Sequence, residues 1–95
     1  MRVISAAQAA REATAQLFAE DKNCIVIGEG CVDAAACFET TRDLHKEFPD
    51  QIFDSPVSEN GVVGICVGAS LMGIKPIFIA MRHDFLLYAA DQIIN

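Results

Sequence analysis

Positive charge is scarce in this sequence. Seven Lys and Arg stand against thirteen Asp and Glu, a formal net charge of -6. That balance leaves no basic patch for a phosphate backbone and argues against nucleic-acid binding. Long apolar runs are missing as well. The stretch from Val62 to Ile74 is too short and too rich in glycine to span a bilayer, which takes about 20 apolar residues. The residues behind Arg2 lack the apolar core of a signal peptide. These absences lead to the expectation of a soluble, cytoplasmic protein with no membrane partner.

Several self-contained chemistries are excluded in the same way. Gly28-Glu29-Gly30 begins like a GxGxxG dinucleotide fingerprint, but Asp33 stands where the third glycine belongs. There is no GxxxxGK[ST] phosphate loop and no GxSxG elbow. Cys31 and Cys37 have no CxxC spacing, and neither His45 nor His83 sits at ligand distance from another His or a Cys pair, so no metal site is expected. Cys24 and Cys66 lie inside apolar runs, where a free thiol behaves as a small buried hydrophobe.

What remains is a short, greasy chain: 95 residues, 53% hydrophobic, with a mean hydropathy of +0.33. The length allows one small domain, residues 1–95, with no second domain. So much apolar surface is hard to hide in a domain this size, so a partner covers it or the chain is a piece of something longer. The run Asp91-Gln92-Ile93-Ile94-Asn95, helical in pattern and without a stop signal, favours a piece.

The chain alternates helical and strand patterns. Ser5-Ala-Ala-Gln8 has the form of a capping box and predicts a helix over 6–19, with Ala6, Ala10, Ala13 and Leu17 on one face. Cys24–Ile27 reads as a strand covered on both faces, residues 31–40 as loop or a short helical turn, and 41–48 as a helix with His45 on its surface. A brief extended segment at Ile52-Phe53 and a strand over Ile77–Ala80 follow, and a last helix runs from Phe85 to the end. This order predicts an α/β fold with a parallel sheet flanked by helices. Glu29 then falls in the loop at the carboxyl end of a strand, where open parallel sheets bind ligands, although a solvated loop acid has the same pattern.

The most informative stretch lies between. After Pro56, Ser58 is placed to cap a helix, Glu59 falls in its first turn near the positive end of the helix dipole, and Gly73 marks its stop. Gly61, Gly64 and Gly68 recur at intervals of three and four and share one face. Each costs roughly 1 kcal/mol relative to Ala in a helix interior. Such a face serves close backbone approach to another helix or a ligand. Glu59 by itself is also a plain helix-capping acid.

Glu59, then Gly64-Ile65, then Gly68-Ala69 resembles the pattern of the pyrimidine-binding domain of thiamine-diphosphate enzymes. The blocks Ile27-Gly-Glu29, Phe53-Asp-Ser-Pro-Val-Ser-Glu59, Gly64–Ala69, Gly73-Ile-Lys-Pro76, Asp84-Phe85 and Asp91–Asn95 are together similar to the N-terminal part of one subunit family. It is the beta subunit of the decarboxylating component of 2-oxo acid dehydrogenase complexes, of the pyruvate, branched-chain and acetoin types.

The resemblance implies a transketolase-like pyrimidine-binding domain, incomplete here. Glu59 would hydrogen-bond a ring nitrogen of the cofactor's aminopyrimidine and favour the tautomer that deprotonates the thiazolium carbon. Phe85 would stack on that ring, or simply fill a core at a helix start. Glu29 and Asp91 match acids near the cofactor or on the polar path between paired sites. Gly61, Gly64 and Gly68 match a helix packed against a partner subunit.

Implied partners are an alpha subunit holding magnesium and diphosphate, a second beta subunit and a lipoyl-bearing acyltransferase. Residues 31–41 and Arg82-His83 depart from the family pattern. Two alternatives stay open: a transketolase-like or acetohydroxyacid-type carbon-carbon ligase half, and a non-catalytic interaction module on the same fold.

Overall fold

A computed structural model describes residues 2–32, 40–80 and 83–94 of the chain. The expectations for residues 33–39, including Cys37, and for Arg82 and Asn95 lie outside the described residues.

Three parallel strands form one sheet: β1 (Cys24–Gly28), β2 (Ile52–Asp54) and β3 (Lys75–Ile79), in the order β2-β1-β3. Helix α1 (Ala6–Glu20) precedes the sheet. Helix α2 (Leu44–Glu47) links β1 to β2, and α3 (Glu59–Leu71) links β2 to β3. The chain then runs through α4 (His83–Leu86), a 3₁₀ turn (Leu87–Ala89) and α5 (Ala90–Ile94). The α/β alternation read from the sequence is the one observed. No described helix is long and apolar enough to cross a membrane.

The capping box forms as the spacing predicts: the Gln8 amide N–H donates to Ser5 Oγ at 3.1 Å, and the Ser5 amide N–H donates to Gln8 Oε1 at 2.9 Å. The predicted inner face of α1 does not. Ala6, Ala10, Ala13 and Leu17 are exposed, and Phe18 is the buried residue, with Ala15 packed beside the same core. Burying one aromatic ring removes far more apolar area from water than a row of alanine methyls, so the phenylalanine sets the rotation of the helix.

Phe18 meets Phe48 edge to face at 5.3 Å and joins Cys24, Val26, Cys31, Leu44 and Ile52 in the principal core. Strand β1 alternates as a pleated strand must. Cys24 and Val26 face this core, while Ile25 and Ile27 are only partly covered on the other side. The expectation of a strand covered on both faces therefore holds for one face.

Gln51 fastens α1 to the sheet. Its main-chain carbonyl accepts the Val26 N–H at 2.8 Å. Its side-chain amide donates to the carbonyls of Phe18, Asp21 and Cys24 at 3.4, 3.0 and 2.9 Å.

Two other boundaries differ from expectation. Helix α2 begins at Leu44 rather than at residue 41, because Asp43 takes a left-handed φ of 58° that a helix interior does not admit. The final helix is not continuous from Phe85. It starts at His83 and tightens into a 3₁₀ turn at Leu87–Ala89, which buries Ala89 and packs on α3. His45, expected on the surface, is partly buried, and its Nδ1 has no hydrogen-bond partner among the described residues.

Helix α3 starts and stops where the sequence indicates: Ser58 is the N-cap residue and Gly73, at φ 91°, ends the turn after it. The Ser58 hydroxyl makes no capping hydrogen bond, however. Cys24 and Cys66 are free thiols, the first buried and the second partly so, as the apolar runs around them suggest, and Cys31 is buried.

Candidate functional site

In the order β2-β1-β3 the chain passes from β1 to β2 on one side and crosses back over β1 to β3 on the other, and the crevice at the carboxyl ends of strands at such a reversal is the usual ligand position in an open α/β sheet. β1 ends at Gly28, where space is tight. A Cβ there would lie 2.6 Å from the Ile79 carbonyl oxygen and 3.2 Å from Cys31 Sγ, so only glycine lets β1 and β3 converge at this rim. The next residue is Glu29.

Glu29 and Glu59 come together here from elements 30 positions apart in sequence, one leaving β1 and the other opening α3, and they hydrogen-bond to one another. Both are partly buried. Burial pushes the Glu29 carboxyl above its usual range. The charge of Glu59, the hydrogen bond to it, and the charge of Asp54 push the same way. The raised carboxyl of Glu29 favours its protonated form, and a protonated carboxyl can donate a hydrogen bond as well as accept one.

A cleft of about 270 Å³ opens where β1 and β2 end and α3 begins. Its walls are mostly apolar, from Ile27, Pro56, Val62 and Ile65, with Asp54, Ser55 and Ser58 supplying polar atoms. A second cleft of about 300 Å³, between Gln8 and Arg11 of α1 and Arg42 and Asp43, shares no residue with it. Among the described residues no group of three or more His, Cys, Asp and Glu is arranged to hold a metal ion.

The other residues singled out by sequence are distributed around this rim unequally. Phe85 is partly buried in α4, and Asp91 is exposed on α5, the helix that packs against α3. The three glycines of α3 do different things within the chain. A Cβ at Gly61 would meet Ser58 Oγ at 2.9 Å, so this glycine leaves room for the residue at the helix start. One at Gly64 would meet Gln92 Oε1 of α5 at 3.0 Å, while Gly68 faces open space. Asp54 lies in the block Phe53–Glu59 but was given no role from the sequence. Its position just before Ser55-Pro56, at the carboxyl end of a parallel strand, is the signal that marks it.

The fold, the switch-point acid pair and the glycine-bearing helix define a class, and residues 2–95 match the family model described as transketolase, pyrimidine binding domain. The chain belongs to that family. Among curated proteins it is similar to the pyruvate dehydrogenase E1 component subunit beta of Gracilaria tenuistipitata var. liui, 35% identical over 92% of this chain and 27% of the relative. It is also similar to the subunit of the same name from Rhizobium meliloti (strain 1021), 32% identical over 100% of the chain and 21% of the relative. The Rickettsia conorii subunit is 32% identical over 97% and 28%. The chain thus spans about a quarter of the length of the curated relatives it matches.

Proposed function

We propose that this chain contributes the pyrimidine half of a thiamine-diphosphate site in a 2-oxo acid dehydrogenase beta subunit, at an interface with an alpha subunit that holds the diphosphate and magnesium. The contact between Glu29 and Glu59 carries this reading. An aminopyrimidine presents ring nitrogens that accept and an amino group that donates, and a carboxyl can accept when ionised and donate when protonated. The residues present therefore fit the group.

Glu59 is the catalytic residue in this reading. It keeps a proton at a ring nitrogen of the cofactor and returns it, while the start of α3 fixes its carboxyl in place. Glu29 stands beside it and interacts with its carboxyl. Phe85 offers a flat face to the ring. When bound, the cofactor supplies the nucleophilic carbon and the electron sink for decarboxylation of a 2-oxo acid, with the acyl group passing to a lipoyl-bearing acyltransferase. Gly68, open on α3, lies on the face offered to a second subunit, and Asp91 stands at the same helical layer.

The test is Glu59→Gln in the assembled protein, read as hydrogen–deuterium exchange of the cofactor's thiazolium proton. Exchange should slow by about 10²–10⁴-fold with assembly retained. Exchange at the unsubstituted rate would remove Glu59 from the role.

A further inference from the structure

The carboxyl end of β2 supplies Asp54, which lies within one of the family blocks but has no role in the reading above. We propose that Asp54 is a positioning residue for the Glu29–Glu59 pair, clamping the turn that carries Glu29 and standing beside the pair as a fixed negative charge. Its connection to the cofactor rests on the function proposed above, but its action on Glu29 does not.

The clamp is visible in the hydrogen bonds on both sides of that turn. Asp54 Oδ1 accepts the Cys31 N–H at 3.1 Å. The carbonyl of the same Cys31 accepts from the buried Thr41 hydroxyl at 3.0 Å. The β1–β2 ladder continues to this point, with Gly28 opposite Asp54 in register and the Ser55 N–H donating to the Gly28 carbonyl at 3.0 Å. Glu29 and Gly30 are thus spanned by two anchored residues, Gly28 and Cys31, and both anchors run to Asp54 and its neighbour. A turn held at both ends presents Glu29 at one position relative to the head of α3.

The electrostatic part follows from the same placement. Among the charged groups acting on Glu29 are Glu59 from α3 and Asp54 from β2, both acids. The charge of Asp54 opposes loss of the Glu29 proton, in the same direction as that of Glu59. Asp54 acts through the pair and touches no reacting atom in this account.

The experiment separates clamp from charge. Asp54→Asn keeps an oxygen acceptor for the Cys31 N–H and removes the charge; Asp54→Glu keeps the charge; Asp54→Ala removes both. The readout is the protonated-carboxyl band in pH-difference infrared spectra of the protein without cofactor, assigned to Glu29 by its loss in Glu29→Gln. The band's midpoint should move to lower pH in Asp54→Asn and stay near the unsubstituted value in Asp54→Glu. Amide exchange at Cys31 should accelerate in Asp54→Ala and not in Asp54→Asn.

An Asp54→Asn midpoint that is unchanged or raised overturns the inference, as does the absence of any Glu29 band in the unsubstituted protein. Should Asp54→Ala fail to fold, the Asn and Glu variants still decide the charge. Thiamine-diphosphate binding to the assembled protein, measured in parallel, keeps the two readings apart. A shifted midpoint without cofactor binding sinks the proposed function and leaves Asp54 in place, and binding with an unmoved midpoint does the reverse.

Discussion

On the side of the sheet that carries α1 and α2, Phe18, Val26 and Leu44 are 2%, 0% and 0% exposed; on α3, Ile65, Leu71 and Met72 are 62%, 82% and 84% exposed. The first side is completed by the chain's own residues. The second has only Val62 and Val63 buried along a helix that is otherwise almost entirely apolar, and Leu87, Ile93 and Ile94 extend the exposed surface beside it. Contiguous apolar exposure of this kind marks a contact surface, and single exposed residues would not. The acid pair sits at the rim of this open side, so a ligand there would be enclosed only by whatever covers α3.

The sharpest way to break this contrast is to substitute on both sides. Phe18→Ala should cost about 3–5 kcal/mol of folding stability by denaturant unfolding, because it empties a closed core. A loss below about 1 kcal/mol would mean that the side is not closed. Gly68→Leu should leave unfolding nearly unchanged while weakening association with a partner subunit by tenfold or more, about 1.4 kcal/mol, in sedimentation or calorimetry. Gly64→Leu is a poorer probe, since it would collide with Gln92 inside the chain.

Next in size is a pH effect from Glu29. Its raised carboxyl means that the folded state holds a proton the unfolded chain releases near the ordinary Glu value of about 4.3. The contribution of Glu29 to stability is then fully present below that value, is lost as pH rises through the interval up to the raised one, and is absent above it. Glu29→Gln should flatten the interval in a series of unfolding curves. The smallest expected effect is Leu71→Ala, within about 0.5 kcal/mol in the isolated chain.

Legibility followed the same division. The strands and the α1 cap could be read because they rest on local signals, a β-branched apolar run and a Ser-x-x-Gln spacing. The inward face of α1 could not: in Ala-Ala-Gln-Ala-Ala-Arg-Glu-Ala-Thr-Ala, small residues lie on every side, and only the tertiary position of Phe18 breaks the tie. The left-handed turn at Asp43 and the 3₁₀ segment at Leu87–Ala89 are likewise imposed by packing rather than by propensity.

At the site, the helix that carries Glu59 and the strand before Glu29 were each readable, while their meeting depends on strand order. Asp54 was missed because an acid ahead of Ser-Pro looks like ordinary turn chemistry until its hydrogen bond to Cys31 is seen.

The side-chain amide of Gln51 also bears on the order in which the domain assembles. It serves three carbonyls that precede it by 27 to 33 residues, among them those at the C-terminal end of α1, which a helix cannot satisfy by itself. The last turn of α1 therefore gains these partners only when β2 has docked on β1. Closing that long loop must precede the reward, as in any topology rich in distant contacts. The end of the first helix and the second strand then form and fray as one cooperative unit, so amide exchange at Phe18 through Cys24 should report the docking of a strand that lies far downstream.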